Sequence, residues 1–273
     1  MLNVRYDKKI ISDIDKAIPM YGKREFQSPT RSTVPLLSWL KHEQPMVDLL
    51  LQDMGIPADC NLHLEYTVAP QQGEGVASHT DLMVISGESS VAVEAKWTEP
   101  RYETVGEWLK KGSKPRYERV GELLKKGSNL QNRKDVLNGW LGLLQRHAQH
   151  TLHLADFSDV IYQMVHRAAS ACAVGSNPRM AYVVFEPSPD PWTASLQTIH
   201  NDLTHLYGLL GHPKGFRFYL VKLLLSQTAA FDAIALLPKG NEATAQQVSA
   251  ALSGSNRFFS FEKYCMTKVG DKS

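Results

Sequence analysis

Two short stretches hold the residues with the most specific chemistry. One is His79-Thr80-Asp81, leading into Leu82-Met83-Val84-Ile85-Ser86; the other is Val91-Ala92-Val93-Glu94-Ala95-Lys96-Trp97. Both have the apolar run of a strand. Alternate residues of a strand share a face, so Glu94 and Lys96 point the same way, about 6–7 Å apart along it. Whether Asp81 joins them depends on the turn between the runs. With Gly87-Glu88 as a two-residue type II′ turn, Gly first as that turn prefers, Ser86 pairs with Ser89 and Asp81 falls opposite Glu94. Directly opposed residues share a face, with Cα atoms about 4.5–5.5 Å apart. One extra residue in the turn would send the two carboxylates to opposite faces. Adjacent buried carboxylates repel unless one keeps its proton or a cation joins them. A hard divalent ion removes the conflict, taking one or two carboxylates together with waters and phosphate oxygens. It activates water and offsets charge on a phosphoryl oxygen, while a neighbouring lysine orients or deprotonates the attacking water. The bland alternative is a solvated salt-bridge cluster at a strand end.

The elements that must position these residues follow from punctuation and periodicity. Ser32 or Thr33 can cap a helix with Pro35 in its first turn; Pro45 restarts that helix after a break and Gly55 ends it. Strand-like runs cover residues 63–69, 80–85 and 91–97, separated by turn-rich stretches. Helices are expected over residues 130–147 and 158–174. The second carries an apolar stripe at Ile161, Met164, Val165, Ala168, Ala169 and Cys172, with Gly175 placed to stop it. A strand over 180–185, a helix over 193–210, a strand over 216–224 and a weaker strand over 234–237 complete the pattern. Strands alternating with helices imply an α/β domain with a mixed sheet. No composition shift marks a second domain, so residues 1–273 are read as one.

Between the third strand and the 158–174 helix lies a tandem repeat. Residues 99–113 read EPRYETVGEWLKKGS and residues 114–128 read KPRYERVGELLKKGS, identical at 12 of 15 positions. Each copy opens on Pro, shows a helically spaced stripe (Tyr102, Val105, Leu109; Tyr117, Val120, Leu124) and closes on Lys-Lys-Gly-Ser, which predicts two short helices. Two copies of this length do not make a solenoid. Residues 96–134 hold eleven Lys and Arg against five Asp and Glu, so the whole-chain charge of +2 hides a local +6. The paired lysines Lys110, Lys111, Lys125 and Lys126 are of the type that contacts phosphate, as, more weakly, is Arg31.

Asp81 with Glu94-Ala95-Lys96 resembles the D…(D/E)xK signature of the PD-(D/E)XK nuclease superfamily. The order of helix, three-strand meander, helix and strand over residues 33–186 matches that restriction-endonuclease-like fold. His79-Thr80 stands where the family name places Pro, and a helical, basic insertion of about 60 residues (about 99–150 at its helical core) follows the third core strand. The resemblance implies a central mixed β-sheet flanked by helices. It also implies Mg2+ (or Mn2+) held by Asp81, Glu94 and the Ala95 carbonyl, Lys96 as the catalytic lysine, and DNA as substrate. Relatives often add an acid from the first helix or strand, here Glu65 in preference to Glu43. They also add a polar residue from the later helix, where Tyr162, Gln163, His166 and Arg167 lie off the apolar stripe. Gln163 is placed to reach a metal-linked water or a phosphate, and Arg167 a phosphate. Relatives also pair sites in homodimers.

Other classes lack support. No Gly-x-Ser-x-Gly, P-loop or GxGxxG is present. His147, His150 and His153 recur at threes, but the chain breaks near Thr151, which spoils a helical ligand face. The three cysteines, Cys60, Cys172 and Cys265, form no CxxC pair, so a disulfide framework is not expected and a reducing cytoplasm fits. The first 20 residues lack a signal-peptide core and no apolar run is long enough for a membrane span. The expectation is a metal-dependent nuclease cleaving DNA. A catalytically inactive member of the fold that binds nucleic acid or protein, and an α/β protein in which the charged hairpin is incidental, are the alternatives.

Overall fold

The computed structural model describes residues 3–113, 117–120, 123–126 and 130–271, apart from the side chains of Lys23 and residues 112–129. In chain order the elements are β1 (Asn3–Tyr6), β2 (Lys9–Ile10), α1 (Ile14–Ala17), α2 (Thr33–His42), α3 (Gln44–Asp53), β3 (Asn61–Val68), β4 (Ser78–Ser86) and β5 (Ser89–Lys96). Then come α4 (Val105–Ser113), β6 (Tyr117–Val120), β7 (Leu123–Lys126), α5 (Leu130–Gln145), α6 (Tyr162–Val174) and β8 (Asn177–Glu186). The chain continues through α7 (Leu196–Leu209), β9 (Arg217–Gln227), α8 (Ala229–Ala235), α9 (Glu242–Ser253) and β10 (Phe259–Lys268).

One mixed eight-stranded sheet, in the order β10-β9-β8-β5-β4-β3-β1-β2, unites the two ends of the sequence. The meander β3-β4-β5 is antiparallel, and β8 joins β5 in parallel through the long connection carrying α4 to α6. Helices cover both faces. Residues of α2, α3, α8 and α9 pack with Leu82, Val84, Val91 and Val93 on one side. Residues of α5, α6 and α7 pack with Met83, Ala92, Met180 and Tyr182 on the other. Flanked by strands and covered on both faces, β5 is buried throughout its apolar run, which is why it shows continuous rather than alternating hydrophobicity. Among the described residues no helix is long and apolar enough to cross a membrane.

The hairpin register follows the turn chemistry. Ser86 pairs with Ser89, Ile85 with Ser90 and Leu82 with Val93. Gly87 takes φ +54 at the first turn position, a conformation that glycine adopts without steric cost. The helix of residues 33–54 breaks at Glu43, just before Pro45, into α2 and α3. Ser32 holds the N-cap position of α2 but does not cap it: its hydroxyl and N–H both donate to Glu99 Oε1, at 2.7 and 2.9 Å.

The N-terminal segment supplies β1, parallel to β3, and the C-terminal segment supplies the edge strand β10. Two expectations are corrected. Residues 234–237 form no strand; Phe231 and Ile234, three apart, turn one helical face of α8 into the core. Second, the two repeat copies do not fold alike: the first holds α4, the second the β6–β7 hairpin. Their three differences explain this. Where the second copy has Lys114, Arg119 and Leu123, the first has Glu99, Thr104 and Trp108. Glu99 ties the segment to α2 and, through Oε2, to the Trp97 and Thr98 N–H groups. Thr104 and Glu107 form a reciprocal capping box, Thr104 N–H to Glu107 Oε2 at 2.8 Å and Glu107 N–H to Thr104 Oγ1 at 3.2 Å. Trp108 stacks on Tyr162 at 4.0 Å between ring centroids. By its chemistry a lysine or arginine side chain has no acceptor for these N–H groups, and a leucine has no ring to stack.

Candidate active site

Asp81 and Glu94 stand one step beyond the Leu82–Val93 pair, at the end of the β4–β5 hairpin. Asp81 Oδ2 accepts the Ala95 N–H at 2.8 Å, so the side chain takes over where the ladder ends. On the other side of β4, Leu64 pairs with Leu82 and Tyr66 with Thr80, which sets Glu65 opposite Asp81. Glu65 has φ +52, a left-handed conformation costing a non-glycine residue about 1 kcal/mol or more. Glu65, Asp81 and Glu94 thus form one row across three neighbouring strands. With Lys96, Gln163 and Arg167 they line a polar cavity of about 160 Å³, whose rim includes Glu25, Arg31, His79 and Tyr102.

Glu94 is the hub. Its Oε1 accepts from Lys96 Nζ and from Gln163 Nε2, each at 2.8 Å, and Lys96 also donates to Gln163 Oε1 at 2.8 Å. Its Oε2 accepts from Arg167 Nε. Glu94, Lys96 and Arg167 are only 3%, 4% and 7% exposed. Arg167 reaches on to Ser78 Oγ (2.6 Å), which lies 2.9 Å from His166 Nδ1. With Arg167 adjacent, His166 is best assigned neutral, accepting at Nδ1. The Tyr102 ring covers the Lys96 ammonium at 4.2 Å.

The charges are pushed apart by these surroundings. Burial acts to raise the Glu94 carboxyl, but Arg167 and Lys96 override it and hold it at about 2. Burial, reinforced by Glu94, pushes Asp81 well above the usual carboxylate range despite Arg167. Burial and the nearby Glu25 carry Glu65 up to about 7. Burial works against the charge on Lys96, yet Glu94 outweighs it and raises the lysine above its ordinary value. The site therefore contains one carboxylate neutralised by two protein cations and two further acids: Asp81, whose Oδ2 accepts the Ala95 N–H, and Glu65, 3.9 Å from His79 Nδ1.

Those two acids decide whether an ion fits. Among the described residues no group of three or more His, Cys, Asp or Glu side chains is gathered closely enough to hold one, and Glu94 is engaged by Lys96, Gln163 and Arg167. Asp81 and Glu65 nonetheless offer hard oxygen donors to a polar cavity, at a place where burial penalises their charged forms. A divalent cation matches that donor chemistry.

The other sequence-selected residues are scattered. Glu43 pairs with Arg257 at 2.9 Å and does not line the cavity. Arg31 lies at the rim, 3.3 Å from Glu25. Lys110 and Lys111 end α4, with Lys111 paired to Glu103 at 2.7 Å. Lys125 and Lys126 lie in β7, their side chains outside the described residues. Arg167, expected on an open face of α6, instead turns inward, because Glu94 and Ser78 compensate its burial. Sequence reasoning missed Ser78, Tyr102 and the inward role of Arg167. A signal existed: Gln163, His166, Arg167 and Ser170, at positions i, i+3, i+4 and i+7, make a second, polar stripe on α6.

A family model described as a domain of unknown function, DUF6946, matches residues 11–215, and the chain belongs to that family. No curated protein and no solved structure matches the chain.

Proposed function

We propose that this DUF6946 protein is a metal-dependent nuclease of restriction-endonuclease-like fold, hydrolysing phosphodiester bonds of DNA. The observation that carries the reading is the row Glu65, Asp81 and Glu94 with Lys96 two residues on, all opening on one cavity. Element order supports it: α2 and α3, the meander β3-β4-β5, then α6 and the parallel strand β8. Mg2+ or Mn2+ would be held by Asp81 and Glu65, with Glu94 and the Ala95 carbonyl completing the set that the family resemblance implies. Such an ion, when bound, acidifies water and offsets charge on a phosphoryl oxygen.

The chain's own residues do the rest. Lys96 stays an ammonium beside Glu94, so it serves to orient water and offset phosphate charge rather than as a base. Gln163, bonded to both Lys96 and Glu94, fixes the ammonium's direction. Arg167 is a positioning residue acting through Glu94. Arg31 at the cavity rim, and Lys110, Lys111, Lys125 and Lys126, are proposed phosphate contacts. The unpaired cysteines suit a reducing cytoplasm.

One observation favours a second reading. Both Glu94 oxygens are already engaged by Arg167, Lys96 and Gln163, as expected of an inactive member of the fold that only binds nucleic acid or protein. Supercoiled plasmid and linear DNA, incubated with Mn2+ or EDTA, separate the two. The nuclease reading expects Mn2+-dependent cleavage, reduced at least a hundredfold in Asp81→Ala and Lys96→Ala. Cleavage surviving both substitutions would overturn the site. DNA retention at low salt without cleavage of DNA or RNA would support the binding module.

A further inference from the structure

Beside the carboxylate cavity lies a larger groove of about 710 Å³, and His79, Gln163 and Arg167 line both. Its wall is a layered stack. Tyr162 and Trp108 lie face to face, 4.0 Å apart and 11° from parallel. The Arg133 guanidinium sits 4.8 Å from the Trp108 ring centroid; with Tyr162 on one indole face, it must cover the other. Arg133 is fixed there by donating to the Trp108 carbonyl. The buried indole of Trp140 also lines the groove, and Val76, 87% exposed, stands at its edge. Glu74 is the one carboxylate among the described lining residues, and Arg133 brings a cation to the same wall.

We infer that this groove binds an unpaired nucleobase, stacked on the Arg133 end of the Tyr162–Trp108–Arg133 pile, on a single strand whose backbone enters the adjoining cavity. The inference deepens the proposed nuclease function and rests on it for the fate of the phosphodiester. A preformed guanidinium–aromatic stack offers a flat, cationic π-surface, the platform on which unstacked bases settle without regard to sequence. A base inside a duplex has both faces covered by its neighbours and cannot use it. The direct continuity of groove and cavity places the base next to the acids rather than at a remote surface. Trp108 is also one of the three positions at which the first repeat copy departs from the second, so the groove belongs to the copy that carries the tryptophan.

The test is equilibrium binding in EDTA, read by fluorescence anisotropy. The probes are labelled single-stranded DNA and RNA of one sequence, and the matching DNA duplex. Wild-type protein is expected to prefer the single strands about tenfold, and the DNA–RNA comparison shows which sugar is accepted. Trp108→Ala and Arg133→Ala should each weaken single-strand binding roughly five- to a hundredfold, the range of one lost stacking contact. Trp108→Phe, which keeps an aromatic layer and guards against misfolding, should retain most of it. Equal binding of duplex and single strand, or Arg133→Ala and Trp108→Ala binding like wild type, would overturn the groove while leaving cleavage by the Asp81 site unaffected. Selective single-strand binding without Mn2+-dependent cleavage would uphold the groove and reject the nuclease.

Discussion

Arg167 donates Nε to Glu94 Oε2 inside the protein, while Lys96 approaches the other oxygen of the same carboxylate at 2.8 Å. A carboxylate between two buried cations is strongly coupled to both. Removing one member of a buried pair costs about 3–5 kcal/mol because the other is left uncompensated. Arg167→Met and Glu94→Gln should each destabilise the protein by that order in urea titrations. Their double variant should lose less than the sum, with a coupling of about 2 kcal/mol. Additive losses would mean that the pair is not an energetic unit.

Glu65 combines φ +52 with a carboxyl raised to about 7 by burial and Glu25. Neither feature helps the fold. Glu65→Gly relieves the left-handed backbone and removes the desolvated acid, so it should stabilise the protein by about 1 kcal/mol while Mn2+-dependent cleavage falls. Such a trade is expected where a strained residue is kept for function. A variant that is less stable and equally active would remove Glu65 from the site.

Asp81 gives the ion-binding reading a readout independent of cleavage. A ligand that binds only the folded state stabilises by mass action, about 2.7 kcal/mol at a hundred times its Kd. Millimolar Mn2+ should raise the melting temperature of the wild type and leave Asp81→Asn unmoved. An equal rise in both proteins would place the ion elsewhere.

The site was legible in the sequence where local rules governed it. Gly87-Glu88 set the hairpin turn, and the turn set Asp81 opposite Glu94; counting residues sufficed. Arg167 was not legible in the same way, because an arginine's direction depends on what lies across the gap, here Glu94 on another element. Helical periodicity placed it correctly off the apolar stripe but could not show that a polar stripe also faced inward. The strand expected at residues 234–237 failed for want of context: four apolar residues fit either period until Phe231 is seen to share the buried face of Ile234. In β10 the alternation is interrupted by the irregularity between Phe261 and Tyr264, and β1, at four residues, is too short to display a period.

The repeat makes the same point as an experiment. Two segments identical at 12 of 15 positions fold differently, so intrinsic propensity does not decide between helix and hairpin. The Thr104 cap is one of the three differences. Thr104→Arg gives the first copy the residue of the second and removes the Oγ1 acceptor for the Glu107 N–H. It should cost about 1 kcal/mol in urea titrations, with faster hydrogen exchange at the first amides of α4. Unchanged exchange there would show that the Trp108 stack and the Glu99 tether hold the helix unaided.

His166 supplies the pH dependence. Burial, then the Arg167 charge, pushes its imidazole well below 6.5, although Glu94 acts the other way and Lys96 adds to the fall. Tyr162 and Trp140 pack on the ring without charging it. Below pH 6.5 the unfolded chain binds a proton that the folded protein refuses, so stability is full above that pH and declines as pH falls, by up to about 1.4 kcal/mol per unit. Glu65, raised to about 7, contributes the opposite slope over part of the window, so the informative quantity is the difference between two proteins. His166→Gln keeps an acceptor for Ser78 but cannot titrate. Between pH 7.5 and pH 5.5 the wild type should lose about 1.4 kcal/mol more than the variant in urea titrations. Parallel stability profiles would mean that the folded protein takes up the His166 proton as readily as the unfolded chain, and the neutral assignment beside Arg167 would fail below pH 6.5.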